Sequence, residues 1–460
     1  MNQYDVLVVG GGILGCFAAR SLRRWNISTL LVESEDDVCK GITRANSAIV
    51  YAGYDNKTGS LKARMTVHAN EHYHELCEEL DVPFSRCGSL MVSFGEKGDK
   101  TLCKKLEQGN ANGVPGLRLL TGQQARELEP MLSPDVTAAL YAPSTGTVNP
   151  WKLGIAAFEN ALHNGCKFML NTTVSEIQKT DTGYLVKTNQ GEIACRMILN
   201  CAGAHADRVQ QLIYPSDIRL RLDGTDFMVM DARIEKPKHI LFQEAEVGKG
   251  ITAVPCVEGN LLMESPSRPL GRPYAATREG IEMIKNGAKQ LLPSLDLSQV
   301  IRSFGAVRPN PHKDDKKNLP DFSIENPAPD FYSLIGIKTP GLTCADELGR
   351  YLAERCSSYL GASLNEHFDP SRKAIRSIRS MATEQWNERV CENPDYGQIV
   401  CQCMHITKGE ILEAIARGAV TVDGVKRRVD AGMGHCQGSR CSSEIAKILM
   451  ETGVNPDPLF

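Results

Sequence analysis

A glycine-rich turn close to the start of the chain restricts the possible folds more than any other feature of the sequence. The apolar run Asp5–Val9 predicts a strand, the motif Gly10-Gly11-Gly12-Ile13-Leu14-Gly15 follows it, and Ile13–Trp25 predicts a helix. A second predicted strand, Ser28–Val32, ends at Glu33, 18 positions after the motif. Such glycines allow a tight turn and close approach to a pyrophosphate, and the later acidic residue suits a ribose hydroxyl. The sequence therefore predicts a Rossmann-like dinucleotide site. Its predicted contacts are Gly10, Gly12, Gly15 and Glu33.

The composition limits the class of protein. The 460 residues predict two or three domains, and 42% hydrophobic with 23% charged residues is ordinary for a soluble globular protein. A net charge of −3 does not indicate binding to nucleic acid or to an anionic membrane. No apolar run suits a membrane-spanning helix, and the first strand leaves no room for a signal peptide. We expect a cytoplasmic protein whose cysteines, such as Cys16 and Cys201, are mostly small buried residues rather than disulfides.

Four cysteines near the C-terminus form two tight pairs. Cys401-Gln402-Cys403 is separated by 32 residues from Cys436-Gln437-Gly438-Ser439-Arg440-Cys441. Four thiolates can hold an iron–sulfur cluster, whereas structural zinc sites commonly use C-x2-C pairs, a spacing that neither pair has. This pattern of C-x-C and C-x4-C resembles that of the bacterioferritin-associated-ferredoxin-like domain, which implies a [2Fe–2S] cluster, with zinc or a disulfide as the alternatives. The predicted metal ligands are Cys401, Cys403, Cys436 and Cys441.

The segments around these cysteines predict short helices. Thr407-Lys408-Gly409-Glu410 is a capping box that starts a helix ending near Gly418. A second helix is predicted from near Thr421 to Val429, and a third from Ser442 or Ser443, with its N-terminal dipole against the cluster. The preceding residues 369–395 are predicted to be a linker with a basic amphipathic helix. Farther upstream, His68 and His72 on a predicted helix over Leu61–Leu80 indicate an exposed face rather than a metal site.

A later strand and turn extend the nucleotide site. Val174 and Ile177 follow a predicted helix, Leu153–Asn164, and Met197–Asp207 then ends a strand at a small-residue turn. This pattern resembles the second FAD-contacting strand of the glycerol-3-phosphate dehydrogenase and D-amino-acid oxidase superfamily, and within it the glycerol-3-phosphate and 2-hydroxyacid dehydrogenase branch. The resemblance implies FAD as the cofactor.

Three further segments resemble this branch in the same order along the chain. Ala45–Asp55 is similar to the segment beside the flavin ring, Ile301–Pro309 to the substrate-side strand, and Gly336–Thr343 to the last flavin-binding turn, with a helix over Ala345–Leu360 after it. Backbone N–H groups of that turn would face the pyrimidine end of the flavin. The flavin contacts that the resemblance implies are Asn46, Ser47, Val174, Ala202, Gly203, Gly336, Gly341, Leu342 and Thr343.

Three side chains are the predicted catalytic residues. By resemblance, Arg308 faces the flavin and binds an anionic group of the substrate, for which a forked guanidinium is well suited; a structural salt bridge is the alternative. Tyr51 stands where many family members have a histidine, and a phenol of normal pKa is a poor base at neutral pH. A desolvated Lys338 beside the flavin could remove the substrate proton or stabilise the reduced flavin anion.

The resemblance implies an α/β fold with three parts. They are a discontinuous Rossmann-like FAD-binding domain (1–85, 143–215 and 331–368), an α+β substrate domain with an antiparallel sheet (86–142 and 216–330), and a small helical domain (396–460). This last domain resembles the [2Fe–2S] domain of bacterioferritin-associated ferredoxin.

We therefore expect an FAD-dependent dehydrogenase. It would oxidise a small anionic hydroxy compound, glycerol 3-phosphate or a 2-hydroxyacid, by hydride transfer to flavin N5. Electrons would leave through the cluster to a quinone or to a partner subunit, either a second flavoprotein or a ferredoxin-like protein, which could also bring the enzyme to a membrane surface. The alternatives are an amino-acid or secondary-amine dehydrogenase of the proline, sarcosine or opine type, and a non-catalytic flavin and iron–sulfur redox sensor.

Overall fold

The computed structural model describes residues 3–244, 249–271, 273–313 and 317–454, which form two compact units. The first unit comprises Met1–Ser34 and Val38–Pro370, and the second comprises Glu35–Asp37 and Ser371–Phe460. Within the described residues, no helix combines the length and the apolar character needed to cross a bilayer.

The first unit contains a sheet with a parallel centre. Its strands are β1 (Gln3–Val9), β2 (Thr29–Val32), β9 (Lys167–Met169), β10 (Val174–Thr180), β11 (Gly183–Thr188), β12 (Gly191–Asn200), β20 (Ser323–Ala328) and β21 (Phe331–Ile335). Strand β1 pairs in parallel with β2 on one side and β12 on the other, and Val9 lies opposite both Val32 and Asn200. The carboxyl ends of these three strands therefore meet at one edge, where ligands bind in open α/β sheets.

Helices cover this sheet and the rest of the first unit. They are α1 (Ile13–Leu22), α2 (Leu61–Glu71), α3 (Tyr73–Glu79), α4 (Glu96–Ala111), α5 (Gly122–Leu128), α6 (Pro150–His163), α7 (Ala206–Gln211), α8 (Arg278–Leu291) and α9 (Ala345–Leu360). Helices α1, α6 and α9 share one hydrophobic core with the sheet. Cys16 and Cys201 are 0% and 4% exposed in that core, as predicted.

Two predicted helix ends are wrong. Helix α1 ends at Leu22 and not at Trp25, because Trp25 leaves the helix to form an isolated bridge with Leu364. The single helix predicted over Leu61–Leu80 is broken at His72, after which the fully buried Tyr73 packs its ring against Phe84 at 5.3 Å.

The two histidines on this pair of helices are exposed, as predicted. His68 pairs with Glu347 at 2.9 Å, and His72 pairs with Glu75 at 3.3 Å.

A second, larger sheet occupies much of the remaining first unit. Its strands are β5 (Ser89–Ser93), β6 (Arg118–Thr121), β7 (Ala138–Ala142), β13 (Arg219–Met230), β14 (Ile240–Glu244), β15 (Lys249–Pro255), β16 (Leu261–Glu264), β17 (Arg268–Pro269), β18 (Val300–Lys313) and β19 (Lys317–Asn318). This sheet is antiparallel except for β14 and β5, which pair in parallel. The tip of the hairpin between β18 and β19, residues 314–316, lies outside the described residues.

A small sheet completes the first unit. Its strands are β3 (Ile49–Val50), β4 (Phe84–Ser85) and β8 (Gly146–Val148). Strand β20 falls inside the segment predicted for the substrate domain but pairs with β21 in the first sheet. The predicted domain boundaries within this unit remain a prediction.

The second unit is helical around a core of its own. Its elements are α10 (Thr383–Glu392), β22 (Ile399–Cys401), β23 (Ile406–Thr407), α11 (Lys408–Ala416), α12 (Val422–Val429) and α13 (Ser442–Glu451). The predicted capping box is present, since Thr407 accepts from the Glu410 N–H while the Glu410 carboxylate accepts from Thr407.

The basic part of the linker is not helical, contrary to the prediction. Residues 371–377 have no regular secondary structure, and helix α10 begins only at Thr383. The basic segment is held by the second unit, because Arg417 donates to the Lys373 carbonyl and Arg379 pairs with the buried Asp430 at 2.9 Å.

A buried arginine links the helices of the first unit. Arg20 is fully buried in α1 and reaches Glu79 at 2.7 Å, Asp346 at 3.2 Å and Asn160 at 3.1 Å. These partners lie in α3, α9 and α6, so one guanidinium satisfies groups from three other helices.

We expect Arg20→Ala to lower the free energy of unfolding of the first unit by about 3 kcal/mol, because it leaves buried polar partners unsatisfied. Urea-induced unfolding followed by tryptophan fluorescence measures this change. The control is Lys100→Ala, which removes an ion pair whose side chains are 71% and 84% exposed and should cost below about 0.5 kcal/mol. Equal losses in the two variants would contradict the structural role of Arg20.

Candidate active site and cysteine cluster

Two turns meet at the carboxyl edge of the first sheet with almost no space between their backbones. A Cβ atom on Gly10, whose φ is +103°, would lie 2.6 Å from the carbonyl oxygen of Cys201. A Cβ atom on Gly15 would lie 1.8 Å from the carbonyl oxygen of Gly10. Glycine is therefore required at both positions, because a Cβ atom would clash with a backbone carbonyl oxygen at each. At Gly10 the positive φ also favours glycine. The structure thus brings the predicted first turn against the turn that contains Ala202 and Gly203.

Gly12 has a different environment. Its backbone has φ −68° and ψ 176°, which any residue can adopt, and a Cβ atom there would meet only the Thr43 hydroxyl oxygen at 3.6 Å. Gly12 caps α1 without a side-chain hydrogen bond, and no acidic residue lies in the first turn. Among the described residues, no group accepts from the N–H groups of Gly12 and Leu14. The space and the free donors fit the pyrophosphate of FAD.

Glu33 lies directly after β2 and faces this turn. Its carboxylate accepts from the Gly11 N–H at 2.6 Å and from the Ser34 hydroxyl at 3.0 Å. A carboxylate at this edge suits the ribose of a dinucleotide, and its assignment as a cofactor contact remains a prediction.

The predicted flavin segments are joined by hydrogen bonds. Tyr51 donates its backbone N–H to the Thr343 hydroxyl at 3.0 Å, which ties the chain after Asn46 and Ser47 to the last predicted flavin turn. The Asn46 side chain accepts from the N–H of Ala48 at 2.9 Å.

In the last predicted flavin turn, Gly341 already donates to the Lys338 carbonyl. Among the described residues, the N–H groups of Leu342 and Thr343 have no acceptor. Two of the three expected donors are thus free for a flavin.

Two other predicted contacts have mainly local roles. Gly336 has φ +70° and approaches Pro311, where a Cβ atom would lie 2.6 Å away. Val174 begins β10, and it packs with Ala202 on the hydrophobic cluster beside the first sheet.

Basic side chains gather where the second sheet approaches the turn at 336–343. Arg308 of β18 lies opposite Asp223 of β13, and within the described part of the chain its half-buried guanidinium has no hydrogen bond or ion pair. Lys338 donates to the side-chain oxygen of Asn310. Burial and the positive charges of Arg308, Lys62 and Arg221, opposed by the carboxylate of Asp223, together lower the pKa of Lys338 to about 8. The structure therefore brings the predicted Arg308 and Lys338 together.

Tyr51 lies near this group but is not a base. Burial raises the pKa of Tyr51 above its ordinary value, and the charge of Glu264 raises it further, although Arg308 opposes this change. Its ring stacks on Phe242 with 6.1 Å between centroids. The phenol stays protonated at neutral pH and can donate a hydrogen bond.

Asn310 and Asp223 also contact this group of side chains, although the sequence did not predict them as site residues. The Asn310 side chain donates to the Asp223 carboxylate at 2.7 Å. Asn310 is two positions after Arg308 in one strand, so strand alternation could have placed both on one face. Asp223 could not have been found, because its position depends on the register between β13 and β18.

The four predicted metal ligands form two facing pairs in the second unit. The Cys403 and Cys436 sulfurs are 3.4 Å apart, and the Cys441 thiol donates to the Cys401 sulfur, which lowers the pKa of Cys401. Within the described residues, no three histidine, cysteine or carboxylate side chains converge as a single-ion site requires. Two pairs instead suit a cluster of two irons with two thiolates each.

The chain around the cysteines is shaped for close approach. A Cβ atom on Gly434 would lie 2.4 Å from the Cβ of Cys403, so a larger residue would separate the pairs. The Gly432 N–H lies 3.5 Å from the Cys401 sulfur as a donor. Helix α13 begins at Ser442, as predicted, with Cys441 as its N-cap residue.

We expect Gly12→Ala to fold normally but to bind FAD at least about tenfold more weakly, because the added methyl would occupy the space for the pyrophosphate. Fluorescence titration of FAD-depleted protein measures the affinity, and circular dichroism verifies the fold. Gly15→Ala is the contrasting variant, which should disrupt the turn itself. Wild-type FAD affinity in a folded Gly12→Ala protein would show that the pyrophosphate lies elsewhere.

Comparisons with known families agree with this geometry. Residues 5–355 match the FAD dependent oxidoreductase family (DAO), and residues 399–451 match the BFD-like [2Fe-2S] binding domain family.

Individual proteins resemble the chain over different lengths. It is 37% identical over 462 residues to a glycerol 3-phosphate dehydrogenase of Caloramator mitchellensis, covering 98% of this chain and 95% of that protein. It is 31% identical over 215 residues to an L-2-hydroxyglutarate dehydrogenase of Indibacter alkaliphilus, and this match covers 46% of this chain and 53% of that protein. The solved structure of dithionite-reduced L-alpha-glycerophosphate oxidase from Mycoplasma pneumoniae with FAD bound has the same fold, with a TM-score of 0.75 and 24% identity. The match covers 81% of this chain and 99% of that one.

Proposed function

The chain belongs to the FAD-dependent oxidoreductase family and carries a BFD-like [2Fe–2S] domain, and from this premise we propose that it is a glycerol-3-phosphate dehydrogenase. The protein is an enzyme whose cofactors are FAD and a [2Fe–2S] cluster. When bound, FAD would supply a two-electron acceptor for a hydride from the substrate carbon that bears the hydroxyl group, and the cluster would supply one-electron transfer.

The excess of positive charge at the substrate face carries this proposal. Lys338 has Arg308, Lys62 and Arg221 as cationic neighbours, against the carboxylate of Asp223. Such a group of cations suits a phosphate ester, which is dianionic near neutral pH, better than a single carboxylate. Arg308 can engage two phosphate oxygens with its forked donors, because its guanidinium has no partner within the described residues.

Lys338 removes the proton of the substrate hydroxyl. A pKa of about 8 leaves a minor but useful fraction of the amine neutral at pH 7. A neutral amine keeps two N–H donors, one for Asn310 and one for substrate, and offers its lone pair to the hydroxyl proton. Tyr51 supports binding as a donor, since its pKa is raised. Oxidation of the secondary alcohol to a ketone would then place the hydroxyl proton on Lys338, while the hydrogen on the same carbon would leave as a hydride for which the bound flavin would be the acceptor.

The electrons leave to another protein. An oxidase that passes electrons to oxygen needs no iron–sulfur relay, whereas a one-electron carrier such as a [2Fe–2S] cluster suits transfer between proteins. The acceptor is a second flavoprotein or a ferredoxin-like protein. Any association with a membrane would be through that partner.

Anaerobic titration of the purified protein with single compounds tests the substrate. We expect sn-glycerol 3-phosphate to bleach the visible flavin band, and L-2-hydroxyglutarate, lactate, proline and sarcosine to leave it unchanged. Arg308→Ala should raise the concentration needed for half-maximal bleaching about 100-fold, the loss of roughly 3 kcal/mol of charge-assisted binding. Arg302→Ala, an exposed arginine on the same strand, is the matched control. Bleaching by another compound alone would contradict the substrate, and wild-type behaviour of Arg308→Ala would contradict the role of that residue.

A further inference from the structure

Asn310 lies between the proposed base and a carboxylate. It is 4% exposed in β18, two residues after Arg308 and so on the same face of the sheet. Its side-chain oxygen accepts from the Lys338 amine, and its amide nitrogen donates to Asp223 at 2.7 Å.

The chemistry of the two neighbours fixes the orientation of the amide. An ionised carboxylate only accepts hydrogen bonds, so the NH2 group of Asn310 must face Asp223. The oxygen must then face Lys338. The same NH2 group also lies 3.4 Å from the carbonyl oxygen of Arg308. Because Asp223 is the cross-strand partner of Arg308, the register of β13 and β18 determines this orientation.

We propose that Asn310 is a positioning residue, which holds the Lys338 amine beside Arg308 at the substrate face in an orientation determined by Asp223. This inference rests on the proposed function for the identity of the substrate. The contacts themselves do not depend on it.

An amide suits this position better than a carboxylate would. The charged groups around Lys338 are Arg308 on β18, Lys62 on α2, and Arg221 and Asp223 on β13. A second carboxylate in direct contact would favour the ammonium form and keep the lysine protonated. Asn310 accepts the hydrogen bond without adding a negative charge, so Lys338 can lose its proton near neutral pH.

Three variants of the full-length holoenzyme test the inference. Asn310→Asp keeps the shape and adds a charge, Asp223→Asn removes a charge, and Asn310→Ala removes the hydrogen bond. The control is Asn260→Ala, which removes a comparable amide donor to the Met230 carbonyl in the same sheet. Circular dichroism verifies that each variant is folded.

The first measurement is labelling of Lys338 with an amine-reactive reagent as a function of pH, with the peptide quantified by mass spectrometry and no substrate present. We expect the midpoint to rise by about one pH unit or more in Asn310→Asp and to fall in Asp223→Asn. Asn260→Ala should keep the wild-type midpoint. Unchanged midpoints in both charge variants would overturn the inference.

The second measurement is the rate of anaerobic flavin reduction by sn-glycerol 3-phosphate in a single turnover. Asn310→Ala should slow reduction about 10- to 100-fold with little change in half-saturation, because a misplaced base affects the reaction more than binding. In Asn310→Asp, the rate of flavin reduction should begin to increase at a higher pH than in the wild type. Equal rates in Asn310→Ala and Asn260→Ala would overturn the positioning role. If the wild type is not reduced by sn-glycerol 3-phosphate, the proposed function fails, while the labelling result still decides the role of Asn310.

Discussion

The contact between the backbones of two turns is the constraint on which the cofactor site depends. The Gly10 carbonyl is so close to Gly15 that a side chain at Gly15 could not fit, and Gly10 itself touches Cys201. This contact brings the ends of β1 and β12 together and places the start of α1 over them. The N-cap residue Gly12 has no side chain, and the Thr43 hydroxyl accepts only from the Ile13 N–H at 3.0 Å. Among the described residues, the N–H groups of Gly12 and Leu14 therefore have no acceptor.

A second constraint acts around the partly buried Lys338, where the positive charges of Arg308, Lys62 and Arg221 lie close to its amine. Partial burial and repulsion from these charges lower the pKa of Lys338. Among the described residues, the Arg308 guanidinium has no hydrogen bond or ion pair. A folded protein tolerates such an arrangement when a ligand of opposite charge completes it. In the proposed function, the repulsion that is unfavourable in the free enzyme would favour binding of an anion and the neutral form of the Lys338 amine.

Local patterns in the sequence were sufficient for some features of this structure. Helix α9 spans Ala345–Leu360 as predicted, and the capping box at Thr407 starts α11, because both depend on neighbouring residues. The end of α1, the break at His72 and the parallel pairing of β5 with β14 depend on residues distant in sequence. The hydrogen bond from Asn310 to Asp223 and the contact between the Cys403 and Cys436 sulfurs also join residues that are distant in sequence.

The most direct test of the central claim follows electrons from the substrate to the cluster. The holoenzyme is mixed with sn-glycerol 3-phosphate without oxygen, frozen at successive times, and examined by visible absorbance and electron paramagnetic resonance. We expect the flavin band to bleach first and the signal of a reduced [2Fe–2S] cluster to follow, and we expect Cys436→Ser to abolish only the second event. A cluster that stays oxidised in the wild type after the flavin is reduced, yet is reduced by dithionite, would contradict its place in the path of the electrons.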